Sequence, residues 1–171
     1  PDFSTVGAVL DGVRDLLAER WAEHAAVLQD LREWLWTQGL FQSRLRAGQD
    51  ESQPDVARFR DYFDYQEPIN TVPSHRALAV FRGRGIDILD VKLVAPESTV
   101  MASPSSSAVS LAEARLALRL GWQHQGRAAD DFLRRCVAWT WRVKLCLSTE
   151  RELFARLREA AEKVAITIFG D

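Results

Sequence analysis

Apolar residues recur along the first part of the chain with the spacing of two amphipathic helices. From Val6 onward they return every three or four positions, and a second block with the same period runs from about His24 to Thr37. Ser4 precedes the first block and is its expected N-cap, and Gly39 follows the second block as its stop signal. The pattern therefore predicts two consecutive helices.

The last third of the chain shows the same helical period. Ser110 is the expected cap of a short helix that Gly121 ends, and a long helix is predicted from about Arg127. Ser148 or Thr149 then precedes a run with glutamates in its first turn, where negative charge suits the helix dipole. We therefore expect a cap at this point and a separate last helix after it.

Two stretches alternate between apolar and polar residues, which is typical of strands. The alternation is weak over 40–47 and strict over 86–94. Because an isolated hairpin is only marginally stable, we expect the two strands to pack on helices. Between them, Pro68 and Pro73 predict an irregular connection. The expected fold class is mainly α: a multi-helical domain with one small antiparallel β-ribbon, formed by 40–47 with 86–94.

The segment PSHRALAVFRGRG, from Pro73 to Gly85, predicts a short helix inside this middle region. Ser74 follows a proline and is the expected helix cap. Gly83 and Gly85 are the expected stop signals, because glycine favours the end of a helix. The strand at 86–94 would begin directly after them.

Length and charge limit the architecture and the function. The 171 residues fit one domain, which we expect to cover 1–171, with a flexible serine- and proline-rich loop at 96–109. The formal net charge is −2, from 22 basic and 24 acidic residues. Bulk charge therefore does not predict a nucleic-acid-binding protein, and such a function would need a local basic patch.

We expect neither a membrane-spanning helix nor an export signal in these residues. No apolar run approaches the roughly 18 residues of a membrane span, and no charged segment precedes an apolar one at the start. Cys136 and Cys146 lie ten residues apart in one helical stretch, about 15 Å along its axis. That separation is too long for a disulfide, so we expect two reduced cysteines, as in the cytosol.

Catalytic and metal-binding patterns are absent from the sequence. His24, His75 and His124 are far apart and have no companion cysteine or glutamate at ligand spacing. The glycine patterns of phosphate-binding loops and of dinucleotide-binding folds are missing as well. The alternative is an enzyme whose active site is built around His75 with Asp61 and Asp64. No nucleophile and no set of metal ligands accompanies these residues in the sequence. We therefore expect no enzyme activity, no cofactor and no metal site.

Four arginines are the candidate nucleic-acid-binding residues. Three cluster around the short helix and the fourth begins the long one: Arg76, Arg82, Arg84 and Arg127. In one interpretation they contact backbone phosphates. In the other, which we favour, they form ion pairs with upstream carboxylates that fix how the elements dock. The carboxylates available for this are Asp61, Asp64 and Glu67.

The tryptophans bear on a third possible function, docking on another protein. The chain has six of them, and most are expected to fill the core rather than to stack on bases. If Trp34, Trp36 or Trp122 formed an exposed apolar patch, the chain would be favoured as a protein–protein docking module.

Three segments carry a resemblance to a known family. FRDYFDYQEPINTVPSHRALAVFRGRG (59–85) resembles the signature stretch of the bacterial transcription accessory protein Tex family, and GRAADDFLRRCVAWTWRVKL (126–145) resembles a second motif of that family. TERELFARLREAAEKVAITIF (149–169) is similar to the family in the same order and spacing. The resemblance covers nearly the whole chain.

The resemblance implies a fragment of a larger, cytoplasmic, multidomain protein that binds RNA or DNA. This chain would be the later part of an N-terminal helical region that precedes an RNase-H-like domain, without the C-terminal domain expected to dominate RNA affinity. The implied function is a non-catalytic helical scaffold, with weak nucleic-acid binding by this fragment alone. The implied alternative is docking on RNA polymerase or on other domains of the same protein.

Two motifs depart from the family pattern, at Gly85 and Ile86 in the first and at His124 in the second. After Phe81-Arg82-Gly83-Arg84 the family usually has Asn-Glu, whereas this chain has Gly85 and Ile86. We expect Gly85 to adopt the left-handed turn that an asparagine would tolerate. His124 likewise replaces an asparagine of the second motif.

Overall fold

A computed structural model describes residues 5–96 and 110–170. The chain divides into two compact units: unit 1 contains residues 1–33 and 97–149, and unit 2 contains residues 34–96 and 150–171. The expectation of one domain over 1–171 stays a prediction. The expected loop at 96–109 lies outside the described residues from position 97 onward.

The regular secondary structure of unit 1, within its described residues, is helical. Its elements are α1 (Val6–Ala22), the first part of α2 (Ala25–Gln38), α5 (Leu111–Arg119), α6 (Asp130–Trp139), a π-helical segment (Thr140–Leu145) and the first turn of α7 (Cys146–Phe169). Thr5 caps α1, because its hydroxyl accepts from the Ala8 N–H at 3.1 Å, while the predicted cap Ser4 lies outside the described residues. Ser110 caps α5 as predicted, and Gly121 follows it with a positive φ of 71°.

The core of unit 1 lies between α5, α6 and the π-helical segment, where Leu116, Cys136 and Leu145 are buried. An ion-pair fork ties α2 to α5 in this unit. Asp30 accepts from Arg115 Nε and Nη2 at 2.8 and 2.9 Å and forms a second pair with Arg119 at 2.7 Å. The hydrogen bonds from Arg115, the largest cause, lower the pKa of Asp30.

Unit 2 contains the rest of α2 and α7, the short helices and the sheet. Its further elements are β1 (Leu40–Leu45), α3 (Pro54–Ala57), 3₁₀ turns at Arg60–Tyr62 and Ile69–Thr71, β2 (Asp64–Pro68), α4 (Ser74–Gly85) and β3 (Leu89–Val94). The strands form an antiparallel sheet in the order β2–β1–β3. The predicted ribbon is confirmed, because β1 pairs with β3 from Leu40 opposite Val94 to Leu45 opposite Leu89.

Three phenylalanine rings form the centre of unit 2. Phe41 of β1 is fully buried and lies edge-on to Phe81 of α4 and to Phe154 of α7, with ring centroids 5.6 and 5.5 Å apart. Phe81 and Phe154 also contact each other edge-on at 5.8 Å. Edge-to-face packing at these distances stabilises aromatic clusters beyond the burial of their area, so the three rings hold sheet, α4 and α7 together.

The third strand, β2, was not predicted. It pairs with β1 from Leu40 opposite Pro68 to Arg44 opposite Asp64. The sequence argument against regular structure at Pro68 was wrong, because β2 is an edge strand that ends at this proline. Proline lacks an N–H and is therefore tolerated at such an edge position, where one side of the backbone has no strand partner.

The predicted cap at Ser148 or Thr149 was also wrong. Residues 130–169 continue from α6 through the π-helical segment into α7 without a break. The Ser148 hydroxyl donates to the carbonyl oxygens of Lys144 and Leu145, both at 3.1 Å, and Thr149 is buried. Both residues lie inside a helix, and the Ser148 hydroxyl bonds back to the preceding turn, as serine hydroxyls in helices often do.

The predicted helix at Pro73–Gly85 exists, but its end signals differ from the prediction. Pro73 is the N-cap, and Ser74 is the first helical residue. Gly83 is buried inside α4 and does not stop it. The left-handed residue is Asp87, with φ of 61°, rather than Gly85. Aspartate tolerates this conformation, so it turns the chain from α4 into β3.

Within 5–96 and 110–170, no helix combines the length with the apolar composition that crossing a bilayer requires. The same described residues contain no group of three or more histidine, cysteine, aspartate or glutamate side chains that could hold a metal ion.

Candidate nucleic-acid interface

Arg76, in the first turn of α4, is engaged within unit 2. Its Nη1 donates to Glu67 Oε1 at 3.1 Å, and its guanidinium lies 5.8 Å from the centre of the Tyr65 ring. Burial of Tyr65 raises the pKa of its phenol to about 12. The ion pair between Arg76 and Glu67 is of the kind that the docking interpretation expects between a candidate arginine and an upstream carboxylate.

The other two predicted carboxylates do not pair with the candidate arginines. Asp64 of β2 forms its ion pair with Arg44 of β1, across the strand pair. Asp61 and His75 are exposed, as is Asp64. Exposed side chains do not line a closed cleft, which is the arrangement of acid and histidine that the enzyme alternative would need.

Arg127, in unit 1, binds the fully buried carboxylate of Asp130. Its Nη2 donates to Asp130 Oδ1 at 3.0 Å, and its backbone N–H donates to Oδ2 at 2.9 Å. Asp130 also accepts from Trp122 Nε1 at 3.2 Å and from the Gln125 N–H at 2.9 Å. The arginine therefore organises the loop before α6, while more than half of its side chain remains exposed.

The same contacts determine the protonation of Asp130. The hydrogen bond from Arg127 is the largest cause that holds the pKa of Asp130 far below its ordinary value, and backbone N–H donors add to it. The carboxylate in turn raises the pKa of Arg127. Hydrogen bonds to the charged form of a carboxyl group favour that form.

Arg82 and Arg84 differ from the first two arginines because neither has a carboxylate partner among the described residues. Both are exposed and lie in the last turn of α4. Two helical positions differ by about 200° in direction, so the two side chains leave α4 on opposite sides. The sequence cluster is therefore not one patch, even within unit 2.

Helices α4 and α7 each place an arginine over an aromatic ring of the other helix. The Arg84 guanidinium is 5.3 Å from the centre of the Phe154 ring, and that of Arg158 is 4.8 Å from the centre of the Phe81 ring. Arg158 was missed in the sequence. The only available signal was spacing: Phe81 and Arg84 are three apart on one helix, and Phe154 and Arg158 are four apart on the other.

The tryptophans do not form the exposed patch that would favour docking. Trp34 is buried, and Trp36 is half-buried beneath Arg156, whose guanidinium lies 4.1 Å from the ring centre. Trp122 is half-buried and donates to Asp130. Five exposed apolar residues of unit 1 lie instead along α1, at helical spacing: Val6, Val9, Leu10, Val13 and Leu16. Three others among the described residues of the unit lie elsewhere: Leu118, Val143 and Leu147.

The fold and the arginine contacts define a mainly helical chain with a small antiparallel sheet and several arginines stacked on aromatic rings. Comparison with known proteins assigns its family. The family model described as Tex central region-like matches residues 1–169. This chain therefore belongs to the Tex family and corresponds to its central region.

Individual relatives support the assignment. The chain is 44% identical over 169 residues to "Protein tex" of Bordetella pertussis and 41% identical over 163 residues to "Protein YhgF" of Escherichia coli. It is 37% identical over 164 residues to the "Transcriptional accessory protein Tex" of Neisseria gonorrhoeae. Each match covers 95% of this chain and 20% of the relative, so the chain spans about a fifth of the length of these proteins.

Proposed function

We propose that this chain is a non-catalytic helical scaffold region of a cytoplasmic, transcription-associated protein that binds nucleic acid. The family supports the association with transcription, since one relative is named a transcriptional accessory protein. In this proposal the longer protein supplies most of the affinity for RNA or DNA, and the chain itself binds weakly through exposed arginines.

The observation that supports nucleic-acid contact is the difference among the four candidate arginines. Arg76 and Arg127 each have a carboxylate partner, whereas Arg82 and Arg84 have none among the described residues. A guanidinium without a carboxylate partner can bind a phosphate without breaking an existing ion pair. The last turn of α4 is therefore the best candidate for phosphate contact.

The test is salt-dependent binding of single-stranded and duplex DNA and RNA by this chain and by a full-length family member. We expect weak binding by the chain and tighter binding by the longer protein. The double variant Arg82→Ala with Arg84→Ala should reduce the slope of log K against log salt, because each lost phosphate contact removes about 0.7 to 0.9 from it. Tight binding by the chain, with a steep slope lost in the double variant, would overturn the scaffold proposal.

Docking on another protein is the second candidate, supported by the exposed apolar face of α1. Its occupant in this alternative is RNA polymerase or another domain of the longer protein. The double variant Val13→Asp with Leu16→Asp would place two charges on this face. Loss of binding to purified RNA polymerase in a sedimentation assay, with binding retained in the control Ile168→Asp on α7, would favour docking over nucleic-acid contact.

A further inference from the structure

We propose that Arg84 of α4 and Arg158 of α7 form one binding site for the backbone phosphates of a nucleic acid. This inference rests on the proposed function and narrows it. It adds Arg158, a residue outside the four candidates, and it removes Arg82, Arg76 and Arg127 from direct phosphate contact.

Reciprocal stacking places the two guanidinium groups around the same pair of rings. Arg84 lies over Phe154, Arg158 lies over Phe81, and the two rings touch each other at 5.8 Å. Both rings are buried, with 4% of each exposed, so the surface beneath the arginines is rigid. A stacked guanidinium loses less side-chain entropy on binding a ligand than a freely moving one does.

Stacking also leaves the groups that bind phosphate available. A guanidinium that lies with its flat face over a ring keeps its N–H groups in its own plane, where they can match two oxygens of a phosphate. Arg84 and Arg158 are exposed, and no carboxylate in the described part of the chain pairs with either of them.

The charges around the site favour an anion. Arg151 lies seven residues before Arg158, on the same face of α7 and about 10 Å along its axis. The nearest acidic residue on that face is Glu162, one turn beyond Arg158. Two other carboxylates of the unit are occupied: Asp87 pairs with Arg46, and Glu150 binds a backbone N–H of β3. On this face of α7, Arg151 and Arg158 are therefore followed by Glu162, and Arg84 of α4 adds a further positive charge beside Phe154.

Arg82 provides a matched control for this site. It belongs to the same turn of α4 as Arg84, is exposed and has no carboxylate partner within the described ranges, but it leaves the helix on the opposite side and stacks on no ring there. Arg82→Gln, Arg84→Gln and Arg158→Gln each remove one positive charge. Glutamine and arginine have similar helix propensity, so the fold is kept.

The experiment measures fluorescence anisotropy of a fluorescein-labelled oligothymidylate, and of a duplex of the same length, with the 171-residue chain. Titrations cover roughly 50 to 200 mM salt. Arg84→Gln and Arg158→Gln should each lower the salt slope by about 0.7 on the single strand and weaken binding roughly threefold or more. Arg82→Gln should leave the slope unchanged. Arg84→Lys with Arg158→Lys should keep the slope but bind more weakly, because lysine is a point charge without the flat face.

The outcomes separate this inference from the proposed function. If the wild-type chain binds and Arg82→Gln lowers the slope as much as Arg84→Gln does, binding depends only on the net charge of the chain. The proposal of a site at Arg84 and Arg158 is then wrong. If the chain binds and neither Arg84→Gln nor Arg158→Gln changes the slope, the site is also wrong, while nucleic-acid binding stands. If the wild-type chain binds neither probe at the lowest salt, both proposals fail. Competition by inorganic phosphate alone would identify a simple anion site and would overturn the assignment to nucleic acid.

Discussion

The carboxylate of Glu150 on α7 accepts a hydrogen bond from the backbone N–H of Leu93 on β3, at 3.0 Å. Strand β3 is one edge of the sheet, since β1 pairs with it on the other side only. An edge strand presents backbone groups without a strand partner, and such edges invite pairing with other chains. Glu150 satisfies one of these groups with a side chain and so ties α7 to the sheet within unit 2.

We expect Glu150→Ala to loosen this edge. The variant leaves the half-buried Leu93 N–H without its acceptor, which costs about 1 kcal/mol and should be visible locally as faster amide exchange. Hydrogen–deuterium exchange of the Leu93 amide by NMR is the measurement. Glu150→Gln is the control, because its amide oxygen can accept the same bond. Equal exchange rates in all three proteins would show that the contact does not protect the edge.

Gly83 and Gly85 should respond in opposite ways to alanine. A Cβ at position 83 would lie 2.6 Å from Leu89 Cδ1 and 3.0 Å from Phe59 Cδ1, in a packed region between α4 and β3. Gly83→Ala should therefore lower the free energy of unfolding by about 1 to 3 kcal/mol. The measurement is urea denaturation followed by circular dichroism.

Gly85→Ala is the matched control in the same helix. A Cβ there meets no atom within 4 Å, and the residue lacks a positive φ. Alanine has the higher helix propensity, so this variant should be neutral or stabilise by up to about 1 kcal/mol. Equal destabilisation by the two variants would mean that packing against Leu89 is not the cause.

This pair also shows which parts of the fold the sequence could predict. The helices and the ribbon of β1 with β3 follow from apolar periodicity, because each pattern marks a face that must be buried. In the sequence alone, Gly83 has the position of a glycine that ends a helix. Its role depends on Leu89 and Phe59, which approach it only in the folded chain, so local pattern could not distinguish a stop from a close contact.

The candidate site divides in the same way. The charge pattern allowed an ion pair between a candidate arginine and one of three upstream carboxylates, but it did not single out Arg76 with Glu67. The stacking of Arg84 and Arg158 depends on the approach of α4 to α7, which no local spacing determines. Strand β2 was missed for a related reason: Asp64–Pro68 has little strand propensity, and its pairing with β1 determines its conformation.

Asp87 should tolerate only residues suited to a positive φ. It holds φ of 61° between α4 and β3, pairs with Arg46, and its carbonyl oxygen accepts from Gln49 Nε2 at 2.9 Å. Asp87→Asn should be nearly neutral, since asparagine adopts this conformation readily and the exposed ion pair is worth little. Asp87→Val should cost about 1 to 3 kcal/mol in urea denaturation, because a β-branched residue is strained there. Equal stability of the two variants would contradict this explanation.

Asp130 should make the stability of the protein sensitive to acid. Its pKa in the folded chain is lowered, chiefly by the hydrogen bond from Arg127. Above the ordinary carboxyl pKa of about 4, the folded state gains from the charged form, and this gain is lost as pH falls below that value. Asp130→Asn should therefore lower the Tm by roughly 5 °C at neutral pH. The neutral amide of asparagine cannot replace the charged hydrogen bonds that the carboxylate accepts from Arg127 and from backbone N–H groups.

The difference in Tm between wild type and Asp130→Asn should narrow steadily as pH falls below about 4, since the unfolded wild type then takes up a proton at Asp130 while the folded state keeps this carboxylate charged to lower pH. Thermal unfolding between neutral and acidic pH, followed by circular dichroism, measures it. Asp131→Asn is the control: it carries the same charge change at the next residue, but its carboxylate is exposed and pairs with the side chains of His124 and Arg134. It should change the Tm little at any pH, because exposed pairs contribute little. A pH-independent difference for Asp130→Asn would mean that its packing, and not its charge, holds the loop before α6.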